Sequence, residues 1–299
     1  MPASAEVAGP KAGGVAIGLV VIGLLCQEVG ASVAVLLFPQ VGPLGMVMLR
    51  LVFSAVILLI ITRPSLRGHS PGAWRAAMLL GGVLALMNGL FYLALRELPL
   101  GVTVTIEVLG PLALAVITAR TRMAWLWAGV ALLGILGLGG GGWDRLTLTG
   151  VLFALGAAAS WAGYILASAQ VGRAFAKLDG LALAMAFGAI LSLPFGIADA
   201  GSALLRIDLL ALGAAVALLS STIPYAMELI ALRRVTPAVF GVLMSLGPAL
   251  AALAGFVLLG QHLSTLEIVG IALVVLASAG AVWAGRARPQ PVTQPVPLP

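Results

Sequence analysis

The chain has 299 residues, of which 62% are hydrophobic and only 9% charged, with a formal net charge of +6. Soluble globular proteins carry roughly 25% charged residues, so a water-soluble fold around one buried core is excluded. The basic residues are dispersed through short polar breaks, which argues against a nucleic-acid surface and for a part in setting membrane topology.

Residues 1–13 are small and polar and form an N-terminal tail. The apolar run after Lys11 extends to Leu37, too long for the core of a cleaved signal peptide, and is read as a first span. Apolar stretches of about 20 residues then recur, the length that a helix rising 1.5 Å per residue needs to cross ~30 Å of hydrocarbon. They predict helices near 14–37, 43–62, 74–95, 99–118, 122–141, 148–170, 178–197, 207–232, 235–258 and 264–285. Breaks at Phe38-Pro39-Gln40, Leu98-Pro99 and Thr236-Pro237 each place a proline where a new helix can begin. From Arg286 the last fourteen residues hold five prolines and predict a disordered tail. One cysteine, Cys26, excludes an internal disulfide and a Cys-rich metal site.

Lys11, Arg63, Arg67, Arg75, Arg120, Arg122, Arg173, Lys177, Arg233, Arg234, Arg286 and Arg288 fall on one side of these spans. Arg50, Arg96, Arg145 and Arg206 fall on the other. Twelve against four predicts that both termini are cytoplasmic, which an even number of spans requires.

The two halves of the chain are alike. A shift of 137 residues lays Ala94-Leu95-Arg96 on Ala231-Leu232-Arg233, Val102 on Val239, and Leu109-Gly110-Pro111 on Leu246-Gly247-Pro248. The repeat unit is five helices, an odd number, so the halves are expected to sit upside down relative to each other. Residues 14–142 form the first repeat and 143–285 the second. Inverted repeats are a recurring plan of secondary transporters, with the solute site near the midplane between halves. Pro111, Pro194, Pro224 and Pro248 are expected to kink helices toward that interior, because a proline frees a carbonyl that protein or water must satisfy. Simple helix bending is the plainer alternative.

Ionisable groups at membrane depth cost roughly 2.5–3.5 kcal/mol each on insertion scales. Four are expected there: Glu28, Arg50, Glu107 and Glu228. The first three lie at similar depth, and Glu107 or Glu28 is the expected partner of buried Arg50. A fixed ion pair bracing the first, second and fourth helices explains them as well as a solute site does. Glu228 lies near Arg233 and Arg234, where an interfacial role is favoured. Hydrogen-bonding and aromatic groups surround them: Gln27, Asn88, Tyr92, Thr103, Thr105, Trp161, Tyr164, Ser220, Ser221 and Tyr225. Taken singly each is more often packing than ligand; as a set they favour a polar, aromatic-walled cavity for a small solute.

Other chemistries lack their residues. Neither lysine, Lys11 or Lys177, follows P-loop glycines, and Gly139–Gly142 has no such lysine, so ATP hydrolysis is excluded. His69 and His262 fall in loops, away from any intramembrane hydrolase site. Asp144, Asp179, Asp199 and Asp208 are too dispersed for a diphosphate–Mg²⁺ clamp. No filter-like loop marks a channel. No enzyme activity, metal or cofactor is expected.

Several stretches resemble the amino-acid/metabolite exporters of the drug/metabolite transporter superfamily, the EamA type. In the first half these are Gln27-Glu28-Val29-Gly30-Ala31-Ser32, Phe38-Pro39 with Val41-Gly42, Leu49-Arg50-Leu51, Phe91-Tyr92 with Leu98-Pro99-Leu100-Gly101, and Glu107-Val108-Leu109-Gly110-Pro111. In the second they are Ser160-Trp161-Ala162-Gly163-Tyr164-Ile165-Leu166, Pro224-Tyr225-Ala226-Met227-Glu228 and Phe240-Gly241-Val242-Leu243-Met244-Ser245. The threonine/homoserine exporter branch is the nearest likeness, and the aromatic amino-acid exporters are related. The resemblance implies an all-α membrane protein of ten helices in two inverted five-helix repeats around a central cavity. It also implies export of small metabolites across a bacterial inner membrane. Drugs, nucleosides or other metabolites are the alternative cargo, and a membrane protein without transport is the remaining rival. The candidate solute-binding set is Gln27, Glu28, Arg50, Asn88, Tyr92, Glu107, Trp161, Tyr164 and Tyr225, with Pro111, Pro224 and Pro248 as helix breaks or gates. Protons are a candidate partner, since a buried glutamate can carry one; downhill facilitated diffusion fits the sequence equally.

Overall fold

A computed structural model describes residues 10–119, 122–138, 146–175, 178–224, 227 and 243–285, and among these every regular element is helical. The α-helices are α1 Pro10–Val41, α2 Pro43–Thr62, α3 Pro71–Glu97, α4 Leu100–Glu107, α5 Leu109–Ala119, α6 Arg122–Gly137, α7 Leu148–Ala174, α8 Asp179–Ala200, α9 Ile207–Ala217, α10 Gly247–Leu259 and α11 Thr265–Gly285. A 3₁₀ turn, Gly201–Leu205, precedes α9, and a π-helical turn, Leu218–Thr222, follows it. Among the described residues, six segments are long and apolar enough to cross a membrane: Ile17–Val41, Pro43–Thr62, Pro71–Glu97, Leu100–Thr118, Leu148–Ala174 and Asp179–Leu205. Where the other four spans were expected, the described residues form shorter apolar helices, Arg122–Gly137, Ile207–Thr222, Gly247–Leu259 and Thr265–Ala281. The Thr236-Pro237 junction and the Gly139–Gly142 run lie outside the described residues.

The first helix runs through Pro39 and ends at Val41, so the expected break at Pro39 moves to Gly42-Pro43. Gly42 holds a left-handed φ of 68°, and Pro43 opens α2 with the fixed φ a first turn accepts. No side chain of α2 itself caps that end. Asp199 of α8 caps it instead, accepting from Leu44 N at 2.7 Å and Gly45 N at 3.2 Å, and a Cβ on Gly42 would run into that carboxylate. The last helix carries its own reciprocal cap. Ser264 Oγ accepts from Glu267 N at 3.2 Å while Glu267 accepts from Ser264 N at 2.7 Å.

The helices meet through small residues. The buried stripe of α8 (Ala182, Ala184, Gly188, Ala189, Ser192, Gly196, Ala200) lies on α2 and α3, with Gly188 backed on Gly81 and Ala200 on Gly45. Close backbone approach of this kind replaces the hydrophobic effect, which is missing between apolar helices in lipid. Pro194 lies off that stripe and is exposed, so it does not face the interior as its mid-helix position suggested. The main packing partners are α3 with α7, α2 with α8, α6 with α11, α4 with α10, and α1 with α10 and with the π turn.

Candidate functional site

Two helices on this interior are broken at matching places. In the first half, α4 stops at Glu107, Val108 turns, and α5 restarts at Leu109. In the second, Leu243-Met244 is helical, Ser245-Leu246 turns, and α10 begins at Gly247. Pro111 and Pro248 sit in the first turns after these breaks, where a missing N–H costs no intrahelical bond. Gly110 lies so close to α7 that a Cβ there would run into the Ala158 carbonyl. Pro224 is buried directly after the π turn.

The side chains gather between these breaks. One pocket is lined by Gln27, Glu28, Arg50, Phe91, Glu107, Trp161 and Pro248, and an adjoining one by Gln27, Arg50, Met87, Asn88, Phe91, Glu107, Trp161, Tyr164 and Met244. The second encloses about 570 Å³ of empty space, open solvent at its mouth included. Seven of the nine expected binding residues, Gln27, Glu28, Arg50, Asn88, Glu107, Trp161 and Tyr164, therefore line this region, drawn from α1, α2, α3, α4 and α7. Tyr225, like Glu228, lies outside the described residues.

The electrostatics differ from expectation at Arg50. It is 7% exposed, yet the guanidinium makes no ion pair with Glu28 or Glu107. The ion pairs formed among the described residues, Arg96–Glu97 and Arg206–Asp208, are at exposed helix ends. The donors of Arg50 are engaged elsewhere. Nε donates to Ser221 Oγ at 2.8 Å, and Nη2 donates to the Ser220 carbonyl at 2.7 Å. Nη1 stands 3.5 Å from the Tyr92 hydroxyl, with the charge 5.7 Å from that ring's centroid. Tyr92 is fully buried behind Arg50 and steadies it; it is not in either pocket wall.

The acceptor on Ser220 has a covalent origin. In an α-helix the N–H four residues on would serve that carbonyl, but residue 224 is proline and has none. The turn adopts π register, with Ile223 N–H bonded to the Leu218 carbonyl, and the Ser220 carbonyl takes a guanidinium donor. Gly30 of α1 lets that helix lie against the turn. A Cβ there would stand 2.9 Å from Ser220 Cβ and 3.0 Å from Ser220 N.

Glu28 is 2% exposed, and its Oε2 has no hydrogen-bond partner. Glu107 is 9% exposed at the α4 break. Asn88 lines the pocket while one of its amide donors binds the Leu84 carbonyl of its own helix at 2.8 Å. Thr103 and Thr105 are likewise spent on the Pro99 and Gly101 carbonyls and line neither pocket. Phe91, Met87 and Met244 join the wall without having been expected there. Their signal in the sequence was weak, because an apolar residue at helical spacing reads as packing.

Comparison with known proteins fits this arrangement. The model of the EamA-like transporter family matches residues 148–283. The threonine/homoserine exporter RhtA of Salmonella typhimurium (strain LT2) is 37% identical over 274 residues, 91% of this chain and 92% of that one. The threonine/homoserine exporter RhtA of Escherichia coli (strain K12) is 37% identical over 271 residues, 90% and 91% of the two chains. A protein of known crystal structure aligns with a TM-score of 0.58 at 20% identity, over 91% of this chain and 99% of that one, a likeness of fold alone. With a pocket between broken helices and relatives aligned nearly end to end, the chain belongs to the EamA-like transporter family of the drug/metabolite transporter superfamily.

Proposed function

We propose that the protein is a secondary exporter of amino acids of the threonine and homoserine type, working by alternating access in a bacterial inner membrane. The observation that carries this reading is the clustering of Arg50, Glu28 and Glu107 in one aromatic-walled pocket without internal neutralisation. A free amino acid is a zwitterion. A glutamate suits its ammonium, Arg50 suits its carboxylate, and Trp161, Tyr164 and Phe91 cover the remainder. Relatives 37% identical over nine-tenths of the chain carry the name threonine/homoserine exporter, which supports that cargo.

The proposed architecture is ten spans in two inverted five-helix repeats, residues 14–142 and 143–285, between cytoplasmic tails 1–13 and 286–299. Three observations support it. The breaks at 107–109 and 244–246 are 137 residues apart, the offset of the repeat. Helices related by that offset lie side by side, α2 on α8 and α6 on α11, as elements next to a pseudo-two-fold axis do. The partners α3 and α7 correspond to the α9–π segment and α1 respectively, which also pack together.

Flux in proteoliposomes loaded with labelled threonine, methionine and phenylalanine tests the function. Threonine efflux above that of empty vesicles is expected; no flux of any amino acid refutes it. A flux indifferent to an imposed pH gradient removes protons as a coupled partner. Glu107→Gln and Arg50→Ala are expected to abolish transport with the protein still folded, and normal transport in both returns these residues to packing.

A further inference from the structure

Arg50 shares its pocket with two carboxylates but does not join either. Coulombic attraction at the low effective dielectric of a membrane interior favours collapse onto one of them. Such a collapse would neutralise the carboxylate-binding and ammonium-binding groups against each other. The opposing restraint comes from a single turn of the other half of the chain. Ser221 Oγ takes the Nε proton and the Ser220 carbonyl takes an Nη2 proton, at 2.8 and 2.7 Å. Both acceptors belong to the π turn, and Ser220 and Ser221 are each 1% exposed, so water does not compete for these bonds. Pro224 has no backbone N–H to give the Ser220 carbonyl in α-helical register.

We propose that Ser221 is a positioning residue which, with the Ser220 carbonyl left available by Pro224, holds the Arg50 guanidinium off Glu28 and Glu107. The pocket thereby keeps Arg50 apart from its carboxyl groups and selects solutes that bring both an ammonium and a carboxylate. This rests on the amino-acid reading above and adds the element that sets its selectivity. Losing one hydrogen bond to a charged group is worth about tenfold or more in affinity.

The experiment compares threonine with threoninol, in which an alcohol replaces the carboxylate, in proteoliposomes of wild type, Ser221→Ala, Ser221→Thr and Pro224→Ala. Wild type is expected to prefer threonine. Ser221→Ala is expected to reduce that preference about tenfold by raising the KM for threonine and not for threoninol, with the maximal rate little changed. Ser221→Thr, which keeps the hydroxyl, is expected to restore it. Pro224→Ala gives the Ser220 carbonyl a helical donor and is expected to act as Ser221→Ala does; it carries the comparison if Ser221→Ala does not fold. An unchanged preference in folded variants, or equal losses for both solutes, overturns the proposal. Absence of threonine flux in wild type refutes the amino-acid reading and this inference with it.

Discussion

Replacing Arg50 by lysine keeps a positive charge in the pocket and removes the planar fork that carries it. In the native structure two different nitrogens of one guanidinium serve two acceptors, Ser221 Oγ at 2.8 Å and the Ser220 carbonyl at 2.7 Å, while a third lies 3.5 Å from the Tyr92 hydroxyl. A single ammonium cannot occupy both close donor positions. Each hydrogen bond to a charged group contributes roughly 1.5–3 kcal/mol, so Arg50→Lys is expected to lose about that much from one of the two close contacts. The ammonium is also a compact charge on a flexible stem, free to move toward Glu28 or Glu107. Two readouts are expected to move together. Thermal unfolding of purified protein in detergent should show lower stability, and threonine KM in proteoliposomes should rise about tenfold or more. Wild-type stability and wild-type KM in Arg50→Lys would refute the argument, because charge alone would then suffice and the fork would be idle.

Gly110→Ala drives a methyl group into the Ala158 carbonyl of α7, a backbone atom that cannot rotate away. Overpacking of about 1–3 kcal/mol is expected, and a variant as stable as wild type in detergent melting would contradict the close approach of α5 to α7. Asp199→Ala removes the cap that α8 supplies to α2 and is expected to cost about 1 kcal/mol. Asp199→Asn keeps an acceptor and should recover most of it, which the same melting assay reads. With Cys26 replaced by alanine, single cysteines placed in residues 1–13 and 286–299 should resist impermeant thiol reagents in intact cells and react in inverted vesicles. The opposite pattern would reverse the proposed orientation.

Membrane character, the positions of several helices and much of the pocket lining were legible in the sequence alone. A 3.6-residue element crossing lipid needs a long apolar run, so span positions survive without any knowledge of neighbours, and α2, α3, α7 and α8 begin and end close to where hydropathy places them. The few residues that violate the apolar rule are costly enough to need a reason, which is why Glu28, Arg50 and Glu107 could be singled out and then found in one pocket. Local chemistry also carried the helix breaks at Pro111 and Pro248, because a proline alters its own turn wherever it stands.

Only the tertiary structure decided who partners whom. Arg50 takes a serine hydroxyl and a backbone carbonyl about 170 residues away in place of the nearest carboxylates, and Tyr92 becomes its support. Asp199, unremarkable in sequence, caps a helix 155 residues earlier. Pro194 turns outward because the small-residue stripe of α8 fixes which face meets α2 and α3. The physical reason is the same in each case. Burial cost and turn geometry are properties of a residue and its immediate neighbours, whereas the satisfaction of a buried donor or carbonyl depends on which distant element packing brings within 3 Å.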